Sequence, residues 1–469
     1  MRISHGAAAA VMLATGCHAR WPVLTPEGLA NEVQELRMNR TLQVLNIIAE
    51  QYGGNRAFGT PGYEASVDYI LDQATERFHK KFDTHVQTFN HTYFEVFNTT
   101  LTVDGNPVDV ISPWYNPPTP SGGITARLVS LPRDRESGAG CVEREWNGIN
   151  VTGKIALIMR GRCSIGVKVA NAKKHGAVGA IVWHDDVFFE NDSSRRVDSL
   201  FAEELDMNLP TGIITSDIGF GLAKRIKYGH VLHATLTVDS VLETRSSWNV
   251  ISQTKQGDPT KVIMLGAHLD SVLDGPGLND NGSGAAALLE LMESLTFFDG
   301  HPHAIRFAWW GAEESGLVGS MHYIQDLEPE EVDSIRYYFN LDTIGSPNPA
   351  YEIKWGVGSG IGIDLLEGYL TAAGENVTRR FFDWRSDYAG FYRLNIPCVG
   401  LFTGVGEHDP CNHKACDDVD NVDLEALTLS TKAVAHALGV LANSIQGLPP
   451  RRPAGKAWWK NSTISQFQV

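Results

Sequence analysis

The chain has 469 residues, 43% hydrophobic, 20% charged and 9% aromatic, the make-up of a globular protein of about two to four domains, not of a disordered, collagen-like or disulfide-dense one. Its 55 acidic against 39 basic residues give a formal charge of -16, the wrong sign for gripping phosphates, so nucleic acid is excluded as an expected partner. Beyond the N-terminus no apolar run approaches the roughly 20 residues that a membrane span needs, and no membrane anchor is expected.

Taken in chain order, Arg2, the Ala-rich run from Gly6 to Gly16 and small residues up to Ala19 have the pattern of a secretory signal. Residues 1–19 are expected to leave the mature protein, which is expected outside the cell, with a vacuole as the lesser destination. Sequons at Asn39, Asn90, Asn98, Asn150, Asn191, Asn376 and Asn461 suit a lumenal glycoprotein, whereas the one at Asn281 sits within a motif discussed below. Apolar residues at helical spacing (Leu36, Leu42, Leu45, Ile47, Ile48) predict one helix over 29–51, stopped by Gly53-Gly54. A second helix is expected over 63–78, after Gly59-Thr60-Pro61-Gly62. The β-branched and aromatic run 85–97 predicts a strand.

The Pro-rich stretch from Pro117 to Gly123 marks a crossing between domains. Strands at 154–159, 178–183 and 231–238 then make 120–242 an inserted domain. The chain divides into 1–19, a main domain split between 20–119 and 243–445, the insert, and an irregular tail over 446–469. After the insert, strands (261–266, 304–310, 335–341, 399–402) alternate with helices (284–295, 316–326, 363–373, 424–442). Such alternation is the mark of an α/β fold, a mainly parallel sheet sandwiched by helices, with function at the C-terminal ends of the strands. Two local cysteine pairs, Cys141 with Cys163 and Cys411 with Cys416, are permitted in an oxidising compartment. Cys398, in the apolar run 396–402, reads as a buried inert thiol.

The strand ends carry acids and histidines. One strand closes in His268-Leu269-Asp270, followed by Asn279-Asp280-Asn281-Gly282-Ser283-Gly284. The next runs into Gly311-Ala312-Glu313-Glu314-Ser315-Gly316, another into Asn340-Leu341-Asp342, and a late loop reads Asp409-Pro410-Cys411-Asn412-His413-Lys414-Ala415-Cys416-Asp417. Each alone is an ordinary turn or capped loop. Together they suit a pair of divalent ions, with Asp280, Glu314 and Asp342 balancing charge and His268 and His413 as neutral nitrogen donors. Mixed imidazole and carboxylate ligation favours zinc. A bridging Asp280 would hold two ions at the spacing of two-metal hydrolytic sites. Glu313, beside a ligand but not needed as one, suits a general base, and Asp270 is placed to orient His268 through its free ring nitrogen. His301, His303 and His408 lie outside these positions and read as surface or loop residues, while Trp309-Trp310 reads as strand core.

This order of motifs resembles the co-catalytic di-zinc aminopeptidases, including vacuolar aminopeptidase Y and the secreted leucine aminopeptidases of fungi. The resemblance extends to Gly53-Gly54-Asn55-Arg56, Gly59-Thr60-Pro61-Gly62-Tyr63 and Arg385-Ser386-Asp387-Tyr388. Through Gly153 to Ile158, Arg160 to Ser164 and Lys168 to Gly176 the insert resembles a protease-associated (PA) domain, with no catalytic constellation of its own. The resemblance implies two Zn²⁺ per chain, one on His268, Asp280 and Asp342, the other on Asp280, Glu314 and His413. It implies Glu313 as base, Asp270 as an essential supporting acid, Arg385 on the substrate backbone, a buried Asn281 and a cis Asp280-Asn281 bond. One departure stands out: family members often carry Tyr before the final histidine, where this chain has Asn412, placed to contact substrate. The expected activity is removal of an N-terminal residue, large and apolar, from peptides with a free N-terminus, by a monomer. A carboxypeptidase of the same superfamily and a non-catalytic binding protein on this scaffold are the rival readings. The first lacks a basic cluster beyond Arg385, and the second would have lost metal ligands that are all present here.

Overall fold

A computed structural model of the protein describes residues 21–132, 139–184, 199–200, 205–451 and 458–461, so the expected signal and the Asn191 sequon lie outside the described residues. In chain order the strands are β1 (Phe82–Val103), β2 (Asn106–Val108), β3 (Ile124–Ser130), β4 (Ile155–Met159), β5 (Gly179–His184), β6 (Thr211–Thr215), β7 (His233–Thr254), β8 (Asp258–His268), β9 (His303–Trp310), β10 (Ile335–Leu341), β11 (Tyr351–Trp355), β12 (Val377–Phe381) and β13 (Cys398–Phe402). The helices are α1 (Pro26–Glu32), α2 (Glu35–Gln51), α3 (Pro61–Asp72), α4 (Ile165–Lys174), α5 (Ser216–Lys227), α6 (Gly284–Leu295), α7 (Val318–Asp326), α8 (Pro329–Ser334), α9 (Gly360–Ala372), α10 (Tyr388–Arg393) and α11 (Leu424–Asn443). The strands join in one 13-stranded mixed sheet, in the order β12-β11-β13-β10-β8-β9-β7-β3-β4-β5-β6, with β1 and β2 attached beside β7. At its centre β8 runs parallel to both β9 and β10. Parallel neighbours about 4.8 Å apart bring their C-terminal ends to one edge, so the loops after all three strands converge.

Helices cover both faces of this central sheet. On one face α6 lies flat, buried at every position except Glu293, and α2 and α11 pack on the same core. Ala285, Ala286 and Ala287 let it approach closely. Gly284 is obligatory there, because a Cβ would meet the Leu341 carbonyl oxygen at 2.7 Å. On the other face α7 and α10 enclose Trp310 and Tyr338, whose ring stacks on Phe391 at 3.7 Å. Trp309 and Trp310 are both fully buried, as strand-core residues. No described helix is long and apolar enough to cross a membrane.

The strands expected at 85–97 and 231–238 prove far longer. β1 and β7 are each 22 residues and pair antiparallel from Phe82 opposite Thr254 to Val103 opposite Ala234, a ribbon of roughly 70 Å. The polar middle of β7, Asp239 to Ser247, hides its strand character; it is held because β1 pairs along it. One end of the ribbon belongs to the central sheet. The other enters a second core around β4, β5 and α4, which also draws in Leu101, Val103 and Tyr115 from ahead of Pro117.

Three other expectations are corrected. The single helix over 29–51 is broken at Val33, whose ψ of 124° is extended, into α1 and α2. The N–H of Gln34 donates to Glu290 on α6 at 2.8 Å instead of continuing a helix. The tail expected to be irregular forms a short 3₁₀ turn at Trp458–Asn461, and Trp459 is 1% exposed because it caps the core beside α7. His301 is buried, not on the surface, its Nδ1 donating to the His303 carbonyl at 2.8 Å. The turn that holds it is closed by main-chain bonds between Asp299 and both Pro22 and Leu24. His303 and His408 remain partly exposed. Cys141 is bonded to Cys163 and Cys411 to Cys416, while Cys398 is a buried free thiol that burial pushes well above the usual range.

Glu290 deserves a test because it is a buried acid. Its carboxylate also accepts from Arg37 Nε at 2.8 Å, Arg37 Nη2 at 2.9 Å and Ser294 Oγ at 3.0 Å. Burial raises its pKa against the opposing pull of Gln34 and Arg37. Removing one partner of such a pair typically costs about 3 to 5 kcal/mol. Arg37→Met is therefore expected to lower stability by about 3 kcal/mol in urea denaturation; an unmoved midpoint would exclude a structural role for the pair.

Candidate active site

The expected residues converge at the C-terminal edge of the central sheet. His268 is the last residue of β8, Glu313 and Glu314 follow β9, and Asp342 follows β10. Asp280 comes from the irregular turn ahead of α6, and His413 from the disulfide-closed loop after β13. Three residues here hold left-handed backbone without being glycine: Ala312 at φ 55°, Thr343 at 50° and His413 at 59°. Strained conformations of this kind persist only where their surroundings enforce them.

Asp280 lies between the two histidines. Its Oδ1 is 3.2 Å from His268 Nε2, and its Oδ2 is 3.1 Å from His413 Nε2. Asp342 Oδ1 and Glu313 Oε2 stand 3.7 and 3.9 Å from His268 Nε2, and Glu314 Oε2 is 3.3 Å from His413 Nε2. The Asp280-Asn281 peptide bond is cis. Asn281 is fully buried, donating to the Leu341 carbonyl and accepting from Gly284 N, which leaves its sequon no access to a glycan.

Each acid is held by donors from another loop. The Asp270 carboxylate accepts the main-chain N–H of Glu313 at 3.0 Å and of Glu314 at 3.2 Å. The expected contact with the free ring nitrogen of His268 is made by the main chain: His268 Nδ1 donates to the Asp270 carbonyl at 3.0 Å, with the carboxylate 3.8 Å away. Asp270 thus orients the acid-bearing loop with its side chain and the imidazole with its backbone. Burial pushes its carboxyl up to about 6, while His268 opposes that.

Sequence reasoning assigned no role to several residues that complete the site. Asp417 accepts Asn279 N at 2.9 Å and Asp280 N at 3.0 Å, and Asp409 accepts Asn279 Nδ2 at 2.7 Å, so acids on either side of the disulfide clamp the Asp280 turn. Ser386 donates to Asp342 Oδ2 at 2.6 Å and accepts from Asn340 Nδ2, whose Oδ1 accepts from Tyr338. Arg56 is buried and donates to the main-chain carbonyls of Leu269, Pro276 and Gly277, tying the loops that carry Asp270 and Asp280. Ser386 and Arg56 do lie in motifs singled out from the sequence, but only the fold shows where their polar atoms go. Arg385, by contrast, is exposed, and among the described residues its guanidinium has no acid partner. Asn412 is half-buried and its Nδ2 donates to Asp280 Oδ2 at 2.6 Å.

This arrangement fits divalent cations. A carbonyl can only accept, so His268 Nδ1 carries the proton and a neutral ring turns the Nε2 lone pair toward carboxylate oxygens. Lone pairs facing one another at these distances repel unless a cation lies among them. Glu314 Oε1 is buried with no hydrogen-bond partner among the described residues, a further unmet demand for positive charge. Without a cation, protons must compensate: Glu314 above all holds His413 up to about 12, and burial holds the Glu313 carboxyl well above the usual range. Ligand atoms of His268, Asp280 and Glu314 lie within 4.8 Å of one another, as do those of His268, Glu313 and Asp342. These groupings cut across the expected division of ligands, since His268 stands in both and Glu313, expected as the base, is in the second.

Comparison with known proteins gives the family of the chain. Residues 249–438 match peptidase family M28, and residues 124–220 match the PA domain. An aminopeptidase of Pseudomonas aeruginosa is 35% identical, the alignment covering 91% of this chain and 84% of that protein. The chain belongs to peptidase family M28. Leucine aminopeptidase 2 of Trichophyton rubrum is 33% identical over 93% of this chain and 90% of its own length. A solved zinc aminopeptidase from Bacillus subtilis superposes with a TM-score of 0.63 at 25% identity, over 87% of this chain and 95% of that one.

Within this M28 site, Asp270 offers a direct test of how the acid loop is held. In Asp270→Asn one side-chain oxygen becomes an N–H₂ that confronts a main-chain donor. Turnover is expected to fall about 10- to 100-fold, the usual effect of removing a group that orients metal ligands, with little change in thermal stability. Unaltered turnover would show that the Glu313-Glu314 loop does not depend on this carboxylate.

Proposed function

We propose that the protein is a secreted aminopeptidase with two Zn²⁺ ions, removing a large apolar N-terminal residue from peptides. Asp280 carries this reading, because its two oxygens face two different histidines at 3.2 and 3.1 Å, the disposition required of a carboxylate shared by paired ions. His268, Asp280 and Asp342 would hold one ion and Asp280, Glu314 and His413 the other. Zinc agrees with the mixed imidazole and carboxylate donors and with the zinc aminopeptidase of Bacillus subtilis. The fungal leucine aminopeptidases support the apolar preference, and the two disulfides support an oxidising destination.

When bound, such ions polarise the scissile carbonyl and make a water nucleophilic at neutral pH. Glu313 is proposed as the base that takes the proton of that water and delivers it to the departing amine nitrogen. Glu313 can do this as a carboxylate, which takes the proton and, once protonated, can return it. The substrate's free amino group is placed beside Glu313 and Asp342, where carboxylates attract its charge and accept its hydrogens. Ser386, bound to Asp342 Oδ2, keeps one carboxylate oxygen occupied and fixes the direction of the other. Asn412 spends one N–H on Asp280, and its second is proposed to meet the substrate carbonyl, with Arg385 reaching the peptide backbone from the exposed rim.

Elemental analysis of the active protein is expected to give two zinc ions per chain, and full activity with one or none would exclude paired ions. Glu313→Gln should keep both ions and lose about 10²- to 10⁴-fold in turnover, since the amide keeps the shape but cannot take the proton. A near-native rate would remove Glu313 from the base role. Leucyl peptides with a free amine should be cleaved and their N-acetylated forms left intact; equal cleavage of both would overturn the aminopeptidase assignment.

A further inference from the structure

Resting on the aminopeptidase reading above, we propose that a cavity walled by the approach to the inserted domain receives the side chain of the substrate's second residue and selects large apolar or aromatic ones. The cavity, about 170 Å³, is bounded by Phe58, Phe94, Trp114 and Leu273 and opens onto Glu314 and His413. Its position relative to the acids sets which part of a peptide it takes. The amino group binds at Glu313 and Asp342, which are 8% and 7% exposed and form the closed end. The released amide nitrogen lies on the far side of the scissile carbon from that amine. The second residue must therefore extend past Glu314 and His413, whereas the first side chain branches off before the carbonyl, at the other end.

The aromatic wall is fixed to the reacting end of the site. Phe94 on β1 has its ring 5.6 Å from that of Trp114 and 4.5 Å from that of Tyr115. The Tyr115 hydroxyl donates to the main-chain carbonyl of Ser315, immediately after Glu314, at 3.2 Å. Trp114 is nevertheless 41% exposed, so much of an indole faces the open part of the molecule beside a charged site. Apolar side chains entering there would cover it. Acidic ones would meet Asp274 across the same space, a repulsive element that sharpens selection. Phe94 and Trp114 lie outside both matched segments, 249–438 and 124–220, so the wall belongs to the stretch that joins the two domains.

The test compares kcat/KM for leucyl-phenylalanine amide, leucyl-glycine amide and leucyl-aspartate amide, with leucinamide as the substrate that has no second residue. For the zinc-loaded wild type the phenylalanine substrate is expected to exceed the glycine one by about 10-fold or more, with the aspartate one lowest. Trp114→Ala and, independently, Leu273→Ala should each bring the phenylalanine-to-glycine ratio down several-fold; they come from separate segments, so poor folding of one leaves the other informative. Phe220→Ala, on α5 and away from the cavity, should keep the wild-type ratio. A wild-type ratio near one, or an unmoved ratio in either folded cavity variant, would overturn the subsite. Absence of leucinamide cleavage by the wild type would instead overturn the aminopeptidase reading, and the two failures are read from different substrates.

Discussion

Asp270, Asp280, Glu313, Glu314 and Asp342 crowd together in a nearly closed space with His268 and His413. Carboxylates a few ångströms apart and out of water raise one another's energy steeply, and burial raises it further. The protein therefore supplies compensation on every side. Main-chain N–H groups meet Asp270, Ser386 meets Asp342, and Asn412 meets Asp280. What these neutral donors leave unmet, at the inward oxygens and the histidine Nε2 atoms, is a demand for concentrated positive charge. The surrounding loops are shaped by that demand as much as by hydrophobic packing.

The parallel centre of the sheet makes such crowding achievable. Adjacent strands β9, β8 and β10 end together, so each contributes one segment of the site without a long excursion of the chain. Rigidity comes from what lies behind them. The small-residue start of α6 packs against the end of β10, and the buried Arg56 fastens the 269–277 loop through carbonyl oxygens. Asp409 and Asp417 extend that order to the disulfide loop, so His413, on the more exposed side of the site, is anchored through the same turn that carries Asp280. Left-handed backbone at Ala312, Thr343 and His413 is the conformational cost of aiming these groups inward.

The long β1–β7 ribbon gives the inserted domain a stiff mounting. Because one pair of strands belongs to two cores, the segment around Phe94 to Tyr115 is positioned by both, and Tyr115 joins it to the residue after Glu314. The inserted domain can in this way shape which peptides reach the acids and histidines of the site. Selection by shape at the open end and by charge at the closed end would then be supplied by different parts of the chain.

Much of this was legible in the amino-acid sequence, because its signals are local. Helix α6 and strand β10 have the bounds that apolar patterning predicts, and the acids and histidines follow strands as expected for chemistry at sheet ends. Asn281 in its motif and the short-range cysteine pairs are likewise local features. What the sequence did not disclose depends on partners far along the chain. The break at Val33 is made by Glu290, the polar stretch of β7 becomes strand only because β1 lies beside it, and Trp459 is held by a core whose α7 side lies more than a hundred residues earlier. The same holds within the site: Asp270 binds main-chain N–H groups of a loop after another strand, and Ser386 reaches Asp342. Residue type and spacing determine which groups are able to bind a metal or move a proton. Only tertiary structure decides which hydrogen-bond donors they meet, because those donors are backbone and side-chain groups brought together by the sheet.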